Sequence, residues 1–97
     1  MDSRFLNVVV KGDSMWPTLV DGETVKFEIL GDRIPEVGQI VLAKHPFRKD
    51  TKIIKRIQSI EKNKVFLVGD NPDPTASEDS HNFGTINFSD ISARIIN

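Results

Sequence analysis

The sequence contains no cysteine. That removes disulfides, thiol catalysis and cysteine-based zinc sites in one step, and it fits a reducing compartment. Long apolar runs are missing as well. Residues 8–10 form a short one, extended to Phe5 only by tolerating Asn7, far short of a signal-peptide core or a spanning helix. The expectation is a soluble chain with no membrane anchor. An excess of either charge is also absent: 13 basic residues face 14 acidic ones, for a net charge of -1. No broad positive field is available to hold a polyanion, so nucleic acid is not an expected partner. There is no internal repeat, no low-complexity segment and no apolar periodicity long enough for a stable helix.

What is present suits one folded unit. With 97 residues the chain has room for a single hydrophobic core, and the expectation is one domain over residues 1–97. Residues 5–10 and 24–29, rich in Val and Phe, read as strands separated by the turn formers Gly12-Asp13 and Asp21-Gly22. Residues 31–38 form a loop around Pro35. Residues 39–44, 51–60 and 65–68 are three further expected strands, and 85–88 and 91–96 close the set. The last of these has an alternative, a short helix capped by Ser89 or Asp90. Between Gly69 and Gly84 almost every residue is a turn former, and a loop this long in a small domain tends to be functional. The fold class expected is mainly β: a small antiparallel sheet or partly open barrel.

Chemistry begins at Lys55. In an extended strand, residues two apart share a face, so Lys55 lies between Ile53 and Ile57. Burial disfavours the ammonium form and lowers a lysine's pKa, and a neutral lysine can serve as a base. The bland alternative is an edge strand from which Lys55 snorkels to water. Ser14 follows Gly12-Asp13 at a strand end, where a serine is ordinarily a turn or cap residue. A serine hydroxyl becomes a nucleophile only when a neighbouring base takes its proton, so the two residues belong together if the fold joins them.

The residues from Gly12 to Leu19, Gly-Asp-Ser-Met-Trp-Pro-Thr-Leu, resemble the G-x-S-M-x-P-T-L box of type I signal peptidases. Lys55-Arg56 is similar to the K-R box of that family. Gly69-Asp70-Asn71, with Ser77-Glu78-Asp79-Ser80 after it, is similar to the G-D-N and S-x-D-S-R box. The order matches too. The resemblance implies the signal peptidase and LexA-like catalytic core, with Ser14 as nucleophile, Lys55 as general base and Ser77 orienting the lysine by a hydrogen bond. Met15 would pack on the substrate side, and Arg56 would pair with Asp70 near the site. The Ser14 N–H would stabilise the oxyanion. Some members add a hydroxyl two residues before the nucleophile; here that position is Gly12, so the resemblance implies a hole that is either weaker or completed by backbone. His81 stands where the family has arginine, which makes an Asp79–His81 pair sensitive to pH.

Within that group the chain looks like a stripped core, because Lys55 and Gly69 are only 14 positions apart. No Ala-Gly or Cys-Gly dipeptide precedes Ser14, so self-cleavage of the LexA-like kind is not expected. His45-Pro46 before Lys55-Arg56, and Gly69-Asp70-Asn71-Pro72 after it, resemble the nickel-type superoxide dismutase maturation proteases. The implied activity is removal of a short N-terminal propeptide from a protein precursor in the cytoplasm, with no cofactor and no metal in the protease. The alternatives are a soluble peptidase with another substrate and a non-catalytic peptide-binding domain on the same fold. A Ser/His/Asp triad through His81, with Asp79 or Asp70, is a further reading of the residues alone. A metal loop at Asp70, Asp73, Glu78, Asp79 and His81 is disfavoured by Pro72, which stands where an EF-hand pattern needs Asp or Asn. His45 reads as a plain loop residue.

Overall fold

The computed structural model describes residues 4–95. Seven strands form one antiparallel sheet: β1 (Phe5–Val9), β2 (Thr24–Ile29), β3 (Ile40–Lys44), β4 (Lys52–Glu61), β5 (Lys64–Val68), β6 (Ile86–Asn87) and β7 (Ile91–Arg94). Their order across the sheet is β1-β2-β7-β3-β4-β5-β6. The mainly β architecture expected from the sequence is therefore present, as an open sheet. Residues 91–94 are a strand and not a helix. A 3-10 turn at Phe88–Asp90 precedes it and leaves Ser89 and Asp90 outside any α-helix. The reason is β-sheet pairing: β7 fits between β2 and β3, and Ala93, fully buried there, packs with Phe27 and Leu42. The α-helix of the described residues is one turn, α1 (Ser80–Phe83), capped by Asp79 inside the long loop.

The sheet buries apolar side chains on both faces, which is why its strands do not alternate cleanly between apolar and polar. Ile57, Val41, Ala43, Val65 and Leu67 form one core with Phe83 of α1. Val10, Met15, Leu19 and Ile40 form another, against which Ile54 packs from the opposite face of β4. Alternation in β4 is reset by a bulge, since Ile57 pairs with Leu67 but Ser59 pairs with Phe66, leaving Gln58 extra. A one-residue bulge moves every later side chain to the other face. Ile53, Ile57 and Ile60 all reach the same core for that reason.

Besides β6 at the far end of the sheet, two edges leave backbone groups without a ladder partner. β1 ends the sheet and, among the described residues, pairs with β2 alone. β4 pairs with β3 from Lys52 to Arg56, but its pairing with β5 starts at Arg56, so residues 52–55 present an open edge. The Ile57 N–H bonds Gln39 and the Thr51 carbonyl accepts from His45, so odd-numbered residues of β4 turn their backbone groups to β3. Lys52 and Ile54 turn theirs outward. By the same alternation Val10, bonded to Glu23 and Gly22, places Val8 on the β2 side, and Asn7 and Val9 face away.

Candidate active site

Three chain segments meet beside the open edge of β4. The turn after β1 carries Ser14. It is shaped by bonds from the Trp16 N–H to Asp13 and from the Leu19 N–H to Met15. The segment after β5 clamps it: Asn71 donates its backbone N–H to the Ser14 carbonyl at 3.0 Å and its side-chain Nδ2 to the Asp13 carbonyl at 2.8 Å. Close approach requires glycine at residue 69. A Cβ there would lie 2.7 Å from the Ser14 carbonyl oxygen and 2.5 Å from Ser77 Oγ, and the backbone oxygen cannot swing aside as a side chain would. Thr18 adds a third stitch, donating to Asp70 at 2.7 Å.

Lys55 comes from β4. It is 5% exposed, and its Nζ lies 2.9 Å from Ser14 Oγ as a hydrogen-bond donor. Desolvation pushes the lysine below its ordinary pKa, against the opposing pull of the Asp79 and Glu78 carboxylates. The separation equally suits a neutral amine accepting the hydroxyl proton. Arg56, next along the strand, points to the other face and grips Asp70 through two bonds, Nε to Oδ1 at 2.8 Å and Nη2 to Oδ2 at 2.6 Å. That fork, followed by the Thr18 hydroxyl, holds the Asp70 carboxyl below the usual aspartate range. Arg56 also donates to the Gly38 carbonyl at 2.6 Å. One dipeptide thus faces the serine and braces the loop beside it.

Asp79 caps α1. Its side chain accepts from the His81 and Gly69 N–H groups, and its Oδ1 lies 2.9 Å from His81 Nδ1. Burial alone would raise this carboxyl, but these bonds hold it low. The His81 side chain is 66% exposed and makes no hydrogen bond to Ser14, which leaves the Ser/His/Asp reading without its central contact. Ser77 departs from expectation in one respect. Its Oγ is buried beside Gly69 and has no hydrogen-bond partner, so the bond to Lys55 is not made. A buried hydroxyl without a partner is costly, and among the described residues this is the side-chain atom left in that state. Gly12 departs as well. Its N–H is committed to Asp21 Oδ1 at 2.7 Å, so it cannot complete an oxyanion hole. The Ser14 N–H has no hydrogen-bond partner among the described residues.

Sequence reading missed His45. It is no plain loop residue: it is 5% exposed, its Nδ1 accepts from the Phe47 and Arg48 N–H groups at 3.0 and 3.1 Å, and its Nε2 bonds Glu78 Oε1 at 2.6 Å. Two donors at Nδ1 require the proton on Nε2, which then donates to Glu78. The His-Pro dipeptide was visible, but nothing local tells that the ring turns inward to a carboxylate 33 residues away. Met15 is 1% exposed and contributes to the wall of a cleft of about 490 Å³ that also contains Ser14 and Lys55. Among the described residues no group of three or more His, Asp or Glu could hold a metal ion.

A buried lysine on a serine, with a buried hydroxyl and two loops stitched around them, makes an arrangement fit for acyl transfer. The family model for Peptidase S24-like proteins matches residues 2–87. The chain belongs to the Peptidase S24-like family. No curated protein matches it. Membership gives the chain the general character of a serine peptidase, and the open antiparallel sheet agrees with the Peptidase S24-like fold. No helix among the described residues is long and apolar enough to cross a membrane.

Proposed function

We propose that this protein is a serine endopeptidase working through a Ser14/Lys55 dyad. The observation that carries the reading is the 2.9 Å contact between a lysine 5% exposed and a serine hydroxyl at the wall of an open cleft. Neutral Lys55 accepts the hydroxyl proton as Ser14 Oγ adds to the scissile carbonyl. The developing oxyanion is met by the free Ser14 N–H. Protonated Lys55 then returns its proton to the leaving amine, and water hydrolyses the acyl-enzyme by the same relay. Ser77 completes the site when its unpaired hydroxyl turns to Lys55. The substrate is an extended peptide, since the outward backbone groups of Asn7 and Val9 on β1 and of Lys52 and Ile54 on β4 offer ladder partners on both sides of the cleft.

The preferred substrate is a precursor of a nickel-type superoxide dismutase, processed in the cytoplasm by removal of its N-terminal propeptide. Support for this finer reading is the pattern His45-Pro46, Lys55-Arg56 and Gly69-Asp70-Asn71-Pro72. Incubation of the purified protein with such a precursor, followed by N-terminal sequencing, tests it. The expected product is one new N-terminus, lost in Ser14→Ala by about a thousandfold or more in kcat. An intact precursor alongside cleavage of other peptides would reject the substrate. Equal peptide binding by wild type and Ser14→Ala, with no cleavage of anything, would establish the binding-module alternative.

A further inference from the structure

The charged residues that line the cleft are all lysines: Lys11, Lys52 and Lys55. Its floor is apolar, from Leu6, Val8, Leu42 and Ile54, and its catalytic end holds Lys55 and Ser14. The opposite end is marked by Lys52, three residues earlier on β4, a distance of about 10 Å along an extended strand. Directly across from Lys52 on β3 stands Lys44. The His45 N–H bonds the Thr51 carbonyl just beyond them, which makes Lys44 and Lys52 a non-hydrogen-bonded pair, the closer of the two antiparallel kinds. Their Cβ atoms are then about 4.5–5.5 Å apart, and like charges in that position destabilise a sheet. Both side chains lie on the face of Leu42 and Ile54, both are exposed, and neither makes an ion pair among the described residues. Asp50, in the turn that joins the two strands, bonds neither of them. In a chain with a net charge of -1, Lys52 lines the cleft with Lys44 directly across from it on β3, a like-charged pair with no acidic partner among the described residues.

We infer that Lys44 and Lys52 form an anionic-residue subsite, and that the peptides this enzyme cuts carry an Asp or Glu about three residues from the scissile bond. The subsite rests on the peptidase reading and adds substrate chemistry to it. A peptide strand lying along the open edge of β4 advances one residue for each residue of β4, so a peptide whose reacting carbonyl is at Ser14 places its third neighbour beside Lys52. A carboxylate at that position relieves the repulsion between the lysines and lies above an apolar floor that screens it less than bulk water does.

The test uses a degenerate peptide library digested by the full-length protein, with products sequenced by mass spectrometry and residue frequencies aligned on the cleavage point. Wild type should enrich Asp and Glu over Gln and Asn at a single position two to four residues from the bond. The enrichment should be about threefold to tenfold, as expected for one carboxylate between two exposed ammonium groups. It should shrink as salt is raised, vanish in Lys44→Gln/Lys52→Gln, and turn to a preference for Lys or Arg in Lys44→Glu/Lys52→Glu. The readout is a ratio within each protein, so a general loss of activity in a variant does not imitate the result. Cleavage with no acidic preference, or a preference unchanged in the double variants, would overturn the subsite while leaving the peptidase intact. No cleavage of any library member by wild type would remove the peptidase reading, and the subsite with it.

Discussion

At the scale of single residues, the site turns on a lysine whose environment contains opposing influences. Burial lowers the Lys55 pKa, while Asp79 and Glu78 favour its charged form. A base must be neutral to act, so kcat/KM should rise with pH through the lysine pKa in the free enzyme. Glu78→Gln removes one carboxylate and keeps an acceptor for the His45 Nε2–H. The acid limb should therefore move to lower pH, the direction given by loss of a negative neighbour. His81→Arg serves as the control, because it removes the imidazole paired with Asp79 on the loop beside the site. A limb that disappears in His81→Arg, with Lys55→Met still active, would transfer the base from lysine to histidine. Lys55→Met should abolish turnover without lowering Tm, since a neutral side chain of similar length replaces a buried amine. Ser14, Lys55, Arg56 and Asp70 were legible in the sequence because their motifs are short and ordered. Glu78 as a neighbour of both Lys55 and His45 was not, because its partners are brought to it only by the folded loop.

At the scale of elements, strands were easier to read than what joins them. Val- and Ile-rich runs between turn formers located all seven strands to within a residue or two, but residues 91–96 admitted a helix because a segment that short has no decisive period. What alternation cannot convey is the bulge at Gln58, which resets the faces of β4, or the half-paired edge at residues 52–55. The connection from β3 to β4 is a similar case. His45 works there as a local cap and a long-range clamp at once: Nδ1 closes the turn on Phe47 and Arg48, and Nε2 holds Glu78. These functions separate by mutation. His45→Asn retains a short acceptor suited to an N–H two or three residues ahead but cannot reach Glu78. His45→Ala loses both functions and leaves a cavity. His45→Asn should therefore keep a cooperative melt while kcat falls, whereas His45→Ala should lose about 1–3 kcal/mol of stability for the buried groups it leaves unpaired. Equal turnover in His45→Asn and wild type would deny the His45–Glu78 bond any part in positioning the loop, since Arg48 still holds Glu78 there.

At the scale of the whole molecule, activity and folding should fail at different pH values, because different groups control them. Asp70 is held low by the Arg56 fork and the Thr18 hydroxyl, and Asp79 by the backbone donors of His81 and Gly69, which outweigh its burial. A carboxyl depressed in the folded state contributes stability that is fully present above its ordinary value, near 3.8 for aspartate. That contribution is lost as pH falls through the lower folded value. Asp70 binds the loop of residues 69–84 to the Ser14 turn and to β4, and Asp79 ties Gly69 to α1 within that loop, so acid unfolding should start with that loop and begin only below the ordinary aspartate range. With Lys55 as the proposed base, its limb should run the other way in charge: depressed from the usual lysine value, it should remove activity as pH falls while both aspartates remain ionised. Measuring kcat/KM and the circular-dichroism melt on the same samples separates the two. Activity should decline over a range in which Tm is still flat, and Asp70→Asn should lower Tm at neutral pH and flatten its dependence on acid. Coincident loss of activity and structure would mean that the acid limb reports unfolding, and the lysine would then have no titration of its own in the rate.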